Sequence, residues 1–370
     1  MTALLINGRF LSRPATGVDR VAIELVRALQ KRRRAGAAIA LSIAVPADAP
    51  GDGAIRACLN LDAECPILRS RHRGYGWEQI ELALLQREAV LLSLCNMGPV
   101  LRRRQLVLMH DAQVHDVPDS YSPAFRHAYR LLQPLLARRA QHIATVSDHS
   151  AERLRHHGVG SGRAFDVLPN GIDHIDPITP DDTILPRLGL RPGGYLLAIG
   201  AKARHKNIPM LLEAHAALPA PRLPLVLVGG GEAASGQDVI ATGRVSDGEL
   251  KALYRHARLF LLPSLTEGFG LPALEAMACG CPVLSSDGGA LRETCGEAAA
   301  YCPPLDRPGW TARICDLASS TPKLEAMRRA GLAHAARFRW DSAAGRLLQL
   351  VESAKQPVER ADTQAIVARG

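Results

Sequence analysis

The stretch PSLTEGFGLPALEAMACGCPV, residues 263–283, places two glutamates, Glu267 and Glu275, on either side of a Gly-Phe-Gly turn and a proline. An apolar run, RLFLLP, precedes it and another, PVLSS, closes it, so the segment reads strand, loop, helix, strand. Pro272 suits the first turn of a helix, where its missing N–H costs nothing, and Gly280 suits the position just past the end. Leu274, Met277 and Ala278 supply the buried stripe. Glu275 is then expected in or near the first turn, and Glu267 in the loop before it. Gly268 and Gly270 leave the backbone open to a ligand, and the free N–H groups of a helix start favour an anion. Taken singly, Glu275 only complements a helix dipole and Glu267 is an ordinary loop carboxylate. The constellation is more specific than either.

Working outward, the same alternation fills the chain. Strand patterns upstream are ALLIN (3–7), IALSIAV (39–45), AVLLSL (89–94), QLVLM (105–109) and HIATV (142–146). A helix follows the first, with Val18, Val21, Ala22, Leu25, Ala28 and Leu29 on one stripe. VLPNGIDHIDPITPDD (167–182) reads as a linker, after which YLLAIG and PLVLVGGG restart the pattern. The fold class is α/β, with two doubly wound, Rossmann-like domains expected at 1–178 and 179–340. Residues 341–370 are expected to form a helix returning to the first domain, then a tail. At 370 residues the chain is too long for one ordinary core. Ligands of such sheets bind beyond the C-terminal ends of the strands, which puts a site in the interdomain cleft.

Composition excludes several classes. Hydrophobic residues are 47% and charged residues 22%, as in a soluble globular protein. The net charge of +9 suggests an anionic partner: nucleotide phosphates, nucleic acid or an acidic membrane. Nucleic acid is disfavoured, because aromatics are 4%, arginine runs are scattered and no recognition motif occurs. A nicotinamide dehydrogenase needs G-x-G-x-x-G after a strand, and neither NGRFLSRPATG nor GGGE has that spacing. The eight cysteines form no C-x-x-C pair and read as reduced thiols of a cytosolic chain. No signal peptide pattern and no apolar run of about 20 residues is visible, so the chain is expected to be cytoplasmic and soluble or peripheral.

The run from Glu267 to Glu275 resembles the E-x7-E motif of retaining glycosyltransferases of family 4, which have the GT-B fold. GRFLSRPATGVDRVAIEL resembles that family's N-terminal glycine loop and first helix, VLPNGIDH its hinge, and LAIGAKARHKNIPMLLEAHA its phosphate-binding segment. The block VLMHDAQVHDVPDSYSPAFRHAYRLLQPLLARRAQHIATVSDHSAERL resembles its acceptor-domain centre. Bacterial polysaccharide mannosyltransferases are the subset most similar to it.

The resemblance implies roles. Glu267 contacts hydroxyls of the donor sugar and Glu275 the ribose, with Gly268, Phe269, Gly270 and Leu271 offering backbone contacts between them. Lys206 matches the family's phosphate-binding lysine. Many members carry an arginine after the strand's glycine; here that residue is Ala201, which leaves Lys202 or Arg204 as the substitute cation. Gly17 lies in the first glycine loop. His110, at the end of a strand, is expected beside the transferred sugar, and catalysis is assigned to His110, Glu267 and Lys206. Arg244 and Val245 match the loop against the base. Asp111, Ser147 and Asn170 line the cleft. Residues 77–79 and 95–100 either touch the acceptor or simply pack.

Transfer with retention is implied, by same-face attack with the departing phosphate taking the acceptor's proton. No D-x-D pattern occurs, so neither a metal nor another cofactor is required. The favoured donor is GDP-mannose and the expected acceptor a lipid-linked or oligosaccharide glycan in bacterial surface polysaccharide synthesis. The runs KRRR (31–34), RSRHR (69–73) and LRRR (101–104) give the first domain a basic surface for anionic lipid. The rival is a sugar-nucleotide epimerase-like GT-B enzyme with no acceptor.

Overall fold

The computed structural model describes residues 1–200, 203–229 and 238–353. Seven parallel strands form the first sheet: β1 (Thr2–Asn7), β2 (Ile39–Val45), β3 (Ile67–Arg69), β4 (Val90–Ser93), β5 (Gln105–Met109), β6 (His142–Thr145) and β7 (Asp166–Val167), in the order β3-β2-β1-β4-β5-β6-β7. Six form the second: β8 (Leu196–Ile199), β9 (Leu225–Val228), β10 (Val239–Gly243), β11 (Leu259–Leu262), β12 (Val283–Ser286) and β13 (Ala300–Cys302), in the order β10-β9-β8-β11-β12-β13. The central strands are continuous runs of buried aliphatics, as parallel strands covered on both faces require. These are the two doubly wound sheets of a GT-B fold.

Strand order reverses between β1 and β4 in the first sheet and between β8 and β11 in the second. Such reversals open a crevice at the strands' carboxyl ends, where ligands bind. Lys206 follows β8 and Glu267 follows β11, so the second reversal brings together two residues 61 positions apart in sequence.

The Leu271–Ala278 helix ends as its sequence predicts. Gly280 adopts φ +73, the Gly280 N–H donates to Met277 O at 2.9 Å and the Cys281 N–H to Ala276 O at 2.8 Å. The linker docks on the end of the chain: the Ile172 N–H donates to Phe338 O at 3.1 Å, and Asp173 Oδ1 accepts from Trp340 N at 2.7 Å. Gly171 permits this, since a Cβ there would lie 2.2 Å from Trp340 N. The Trp340–Ser353 helix then packs on the Gly17–Arg34 helix, and Arg32 Nη2 pairs with Asp341 at 2.7 Å.

The three basic runs are only partly free surface charge: several of their arginines are paired or buried, while Arg71, Arg73, Arg103 and Arg104 are exposed without an ion pair among the described residues. Arg33 and Arg34 both pair with Asp62, Arg32 with Asp341, and Arg69 with Asp52. Arg102 is buried and donates to the carbonyls of Leu82, Leu85, Gln86 and Ala89; burial, with Arg104 and Arg87 nearby, lowers its pKa to about 10. All eight cysteines are free.

Candidate active site in the interdomain cleft

Lys206 ends a short 3-10 turn, Arg204–Lys206, and its Nζ donates to Glu267 Oε1 at 2.6 Å. Ser264 Oγ donates to the same oxygen at 2.6 Å. Glu267 is only 8% exposed. Burial opposes its charge, but the Lys206 ammonium and the two hydrogen bonds outweigh that and hold its pKa below the ordinary value. Oε2 has no hydrogen-bond partner among the described residues, which leaves it to a ligand hydroxyl. The loop is braced from behind. Gly289 has φ +71, and a Cβ on it would lie 2.4 Å from Glu267 O. The Ala290 N–H donates to that carbonyl at 2.9 Å.

The Gly-Phe-Gly turn has its carbonyls committed. Gly268 O accepts from Ser147 Oγ at 2.7 Å and Ser150 Oγ at 3.1 Å, and Phe269 O from Thr294 Oγ1 at 2.6 Å. Gly270, at φ +89, accepts from the Ala273 N–H at 3.0 Å. The N–H groups of Gly268, Phe269 and Gly270 have no partner among the described residues. The turn therefore holds three uncommitted donors in a row, a pattern that suits an anion. The Phe269 ring is buried edge-on against Phe338, so only its backbone is available.

Glu275 lies close to the first turn of the Leu271–Ala278 helix, as expected, just past it, because that helix begins only after Gly270. There it is bound rather than exposed: Oε1 accepts from His174 Nε2 at 3.1 Å and Oε2 from Tyr254 OH at 3.5 Å. Trp340 Nε1 donates to His174 Nδ1 at 3.1 Å. An indole nitrogen only donates, so His174 Nδ1 must accept and Nε2 must carry the proton given to Glu275.

His110, after β5, is buried, and its Nε2 donates to Leu94 O at 2.8 Å. Burial lowers its pKa to about 4, so the ring is neutral and Nδ1 is its acceptor nitrogen. The half-buried Asp111 is raised to about 6, mainly by burial, with the charge of Glu267 adding to it, and its Oδ1 accepts from the Gln113 N–H at 2.9 Å. A Cβ on Gly268 would lie 2.6 Å from His110 O and 2.8 Å from Asp111 Cβ, so both residues meet the E-x7-E turn across the cleft.

Ser147 caps the Asp148–His156 helix, accepting from the Ser150 N–H at 3.0 Å, besides donating to Gly268 O. Glu293 reaches across to the same helix start and accepts from the Asp148 and His149 N–H groups at 2.8 and 3.0 Å. Arg20 pairs with Asp247 at 2.8 Å, also between the two sheets' domains. Asn170 is buried at the linker. Gly17 is the first residue of its helix, and a Cβ there would meet nothing within 4 Å, so the protein itself does not demand glycine. Arg204 and Arg244 are exposed and Val245 is half-buried against the core. Lys202, with Ala201, lies outside the described residues. Trp77 is fully buried in the core, Glu78 is buried on Arg9 and Asn7, and Gln79 binds the backbone at Gly98 and Val100, so residues 77–79 serve packing. His174, Tyr254, Trp340, Gly289 and Glu293 carried no signal in the sequence, since each acts through a partner far along the chain.

Among known proteins, residues 193–320 match the family model described as glycosyl transferases group 1. The chain is 34% identical over 264 residues to the O-antigen chain mannosyltransferase B of Escherichia coli, covering 65% of this chain and 68% of that one. It is 33% identical over 220 residues to the D-inositol 3-phosphate glycosyltransferase of Segniliparus rotundus, covering 54% of this chain and 49% of that one. In structure it resembles Anabaena Alr3699/HepE, solved with UDP-glucose, at TM-score 0.74 and 18% identity over 95% of this chain and 100% of that one. It also resembles WaaG, a glycosyltransferase of lipopolysaccharide biosynthesis, at TM-score 0.67 and 17% identity over 95% and 99%. With the strand reversal, the paired Lys206 and Glu267, and these likenesses together, the chain belongs to the group 1 glycosyltransferases.

Proposed function

We propose that this glycosyltransferase moves mannose from GDP-mannose, with retention, to a lipid-linked or oligosaccharide acceptor in bacterial surface polysaccharide synthesis, working at the cytoplasmic face of an anionic membrane. One observation carries the site assignment: Lys206 and Glu267, paired at 2.6 Å at the strand reversal, adjoin the turn 268–270, whose N–H groups have no partner among the described residues. Diphosphate against those donors and Lys206 would place the sugar at Glu267 and the ribose toward Glu275. Negative charge that grows on the leaving phosphate is then met by preorganised donors. Attack from the same face lets the leaving phosphate oxygen take the acceptor's proton, with His110 Nδ1 accepting a sugar hydroxyl. No metal enters this scheme. The mannose assignment is supported by similarity to an O-antigen mannosyltransferase.

The test is a donor screen with GDP-mannose, UDP-glucose and related sugar nucleotides, read by thermal shift and product NMR, in chelator and with magnesium. Stabilisation by GDP-mannose and an α-anomeric product in chelator support the proposal. An inverted product, or activity only with a divalent ion, refutes its mechanism. Sugar release independent of acceptor would favour the epimerase-like reading.

A further inference from the structure

The described residues expose few large apolar side chains, and six of them come from one part of the first domain: Tyr75, Ile80, Leu84, Leu101, Leu131 and Leu135. Ile80 is 69% exposed, Leu101 71% and Leu131 65%, too open to count as core margins. Hydrogen bonds tie their segments into one face. Gln79 Nε2 donates to Gly98 O at 2.9 Å and its Oε1 accepts from the Val100 N–H at 3.0 Å. Arg139 Nε donates to Val100 O at 3.0 Å. Ile80 adjoins Gln79, Leu101 adjoins Val100, and Leu135 lies one turn before Arg139. On the Pro123–Arg139 helix the outward stripe is Ala124, His127, Leu131, Leu135 and Arg138, flanked by Arg130 and Arg139.

The charge on this face is mostly positive, with Glu81, paired to His72, and Glu88 the carboxylates within residues 80–104. Residues 120–147 contain four arginines and no carboxylate. Arg87, Arg103, Arg104, Arg130 and Arg138 form no ion pair among the described residues. This is the reverse of the KRRR run, whose arginines are neutralised by Asp62 and Asp341. Exposed leucines between unpaired arginines suit an interface that is apolar inside and anionic outside, which is an acidic bilayer surface.

We propose that the face built from residues 80–104 and 130–139 seats the protein on anionic lipid, with Leu101, Leu131 and Leu135 entering the headgroup region and the arginines engaging phosphates. This deepens the membrane part of the proposed function and names the surface. It does not depend on which sugar is transferred.

Full-length protein is sedimented with vesicles of neutral phosphatidylcholine, and of the same lipid with 30 mol% phosphatidylglycerol (about a third). Binding is expected only to the anionic vesicles. Leu131→Ser with Leu135→Ser should lower partitioning at least about tenfold at unchanged charge. Arg130→Gln with Arg138→Gln should lower it roughly 30-fold at low salt, and the loss should shrink as salt rises. Arg32→Gln with Arg34→Gln should leave it unchanged. Turnover on a soluble acceptor, or nucleotide binding where none is found, should be retained in every variant and certifies the fold. Wild-type binding by the leucine variant refutes insertion, and loss of binding in the Arg32/Arg34 variant returns the contact to the other run. A wild-type dimer in solution that the leucine variant abolishes would assign this face to a second copy and overturn the proposal.

Discussion

Replacing Lys206 with alanine removes two things at once, and the structure predicts how to separate them. Lys206 would be the cation for the donor phosphates, but it is also the partner of a carboxylate that is 8% exposed. After Lys206→Ala, Glu267 keeps only the Ser264 hydroxyl, and burial then pushes its pKa up. Removing one partner of a fully buried pair costs about 3–5 kcal/mol; Lys206 is itself partly open to water, so about 2 kcal/mol of stability is expected to be lost. Turnover should fall about 10²–10³-fold, the scale for one preorganised charge stabiliser. A double-mutant cycle with Glu267→Gln resolves the two effects. In the Gln background no charge is stranded, so Lys206→Ala should cost less than about 0.5 kcal/mol by urea unfolding, a coupling above about 1.5 kcal/mol. The turnover loss should persist, measured against Glu267→Gln alone. Equal stability costs in both backgrounds would refute the buried-pair argument. Loss of the turnover effect in the Gln background would show that Lys206 acts by ordering Glu267 and not on the phosphates.

Glu275→Ala should weaken nucleotide binding roughly 10- to 150-fold in a calorimetric titration, the value of one or two hydrogen bonds to a charged group; unchanged affinity would remove the ribose assignment. His174→Gln, which can still present a donor to Glu275, should bind nucleotide within about threefold of wild type, whereas His174→Leu should lose about tenfold or more. Asp111→Asn should be more stable than wild type at pH 7 by about 1–3 kcal/mol. The sign follows from its raised pKa of about 6: the folded protein holds this proton more tightly than the unfolded chain, so wild-type stability falls as pH rises from the ordinary aspartate range to 6, and the difference should vanish below pH 4. Gly171→Ala should cost about 3 kcal/mol in thermal unfolding, because its Cβ would lie 2.2 Å from backbone nitrogen, while Gly17→Ala, in open space, should leave stability within about 0.5 kcal/mol.

Legibility followed sequence distance. The central strands are long aliphatic runs, and IALSIAV and QLVLM match β2 and β5 to the residue. The strands that escaped, β3, β7, β10 and β13, lie toward the sheet edges, are mostly two or three residues long, and lack an unbroken apolar run. The Leu271–Ala278 helix was readable from Pro272 and Gly280, because caps are local. The same local signals set Glu275 near the first turn, and it opens the second. His174 could not be found by pattern: its neighbours in sequence are a linker, and its meaning lies in Glu275 and Trp340, 101 and 166 positions away. The pairing of the KRRR run was hidden for the same reason, since Asp62 and Asp341 reach its arginines only once the chain is folded.

The hydroxyls of Ser147 and Ser150 on Gly268 O, the Glu293 carboxylate on the Asp148–His156 helix start and the Arg20–Asp247 pair all join the two halves around the cleft. The nucleotide sugar proposed as donor, placed in that space, would have to meet molecules in which some of these bonds have let go. Its measured affinity is then the intrinsic affinity scaled by the fraction of molecules open at any moment. Weakening a clasp remote from the sugar, as in Glu293→Gln, would enlarge that fraction, raise the association rate and tighten apparent binding, while leaving the chemical step no better served. Affinity and turnover in this enzyme would thus be adjustable by separate residues on opposite lips of one groove.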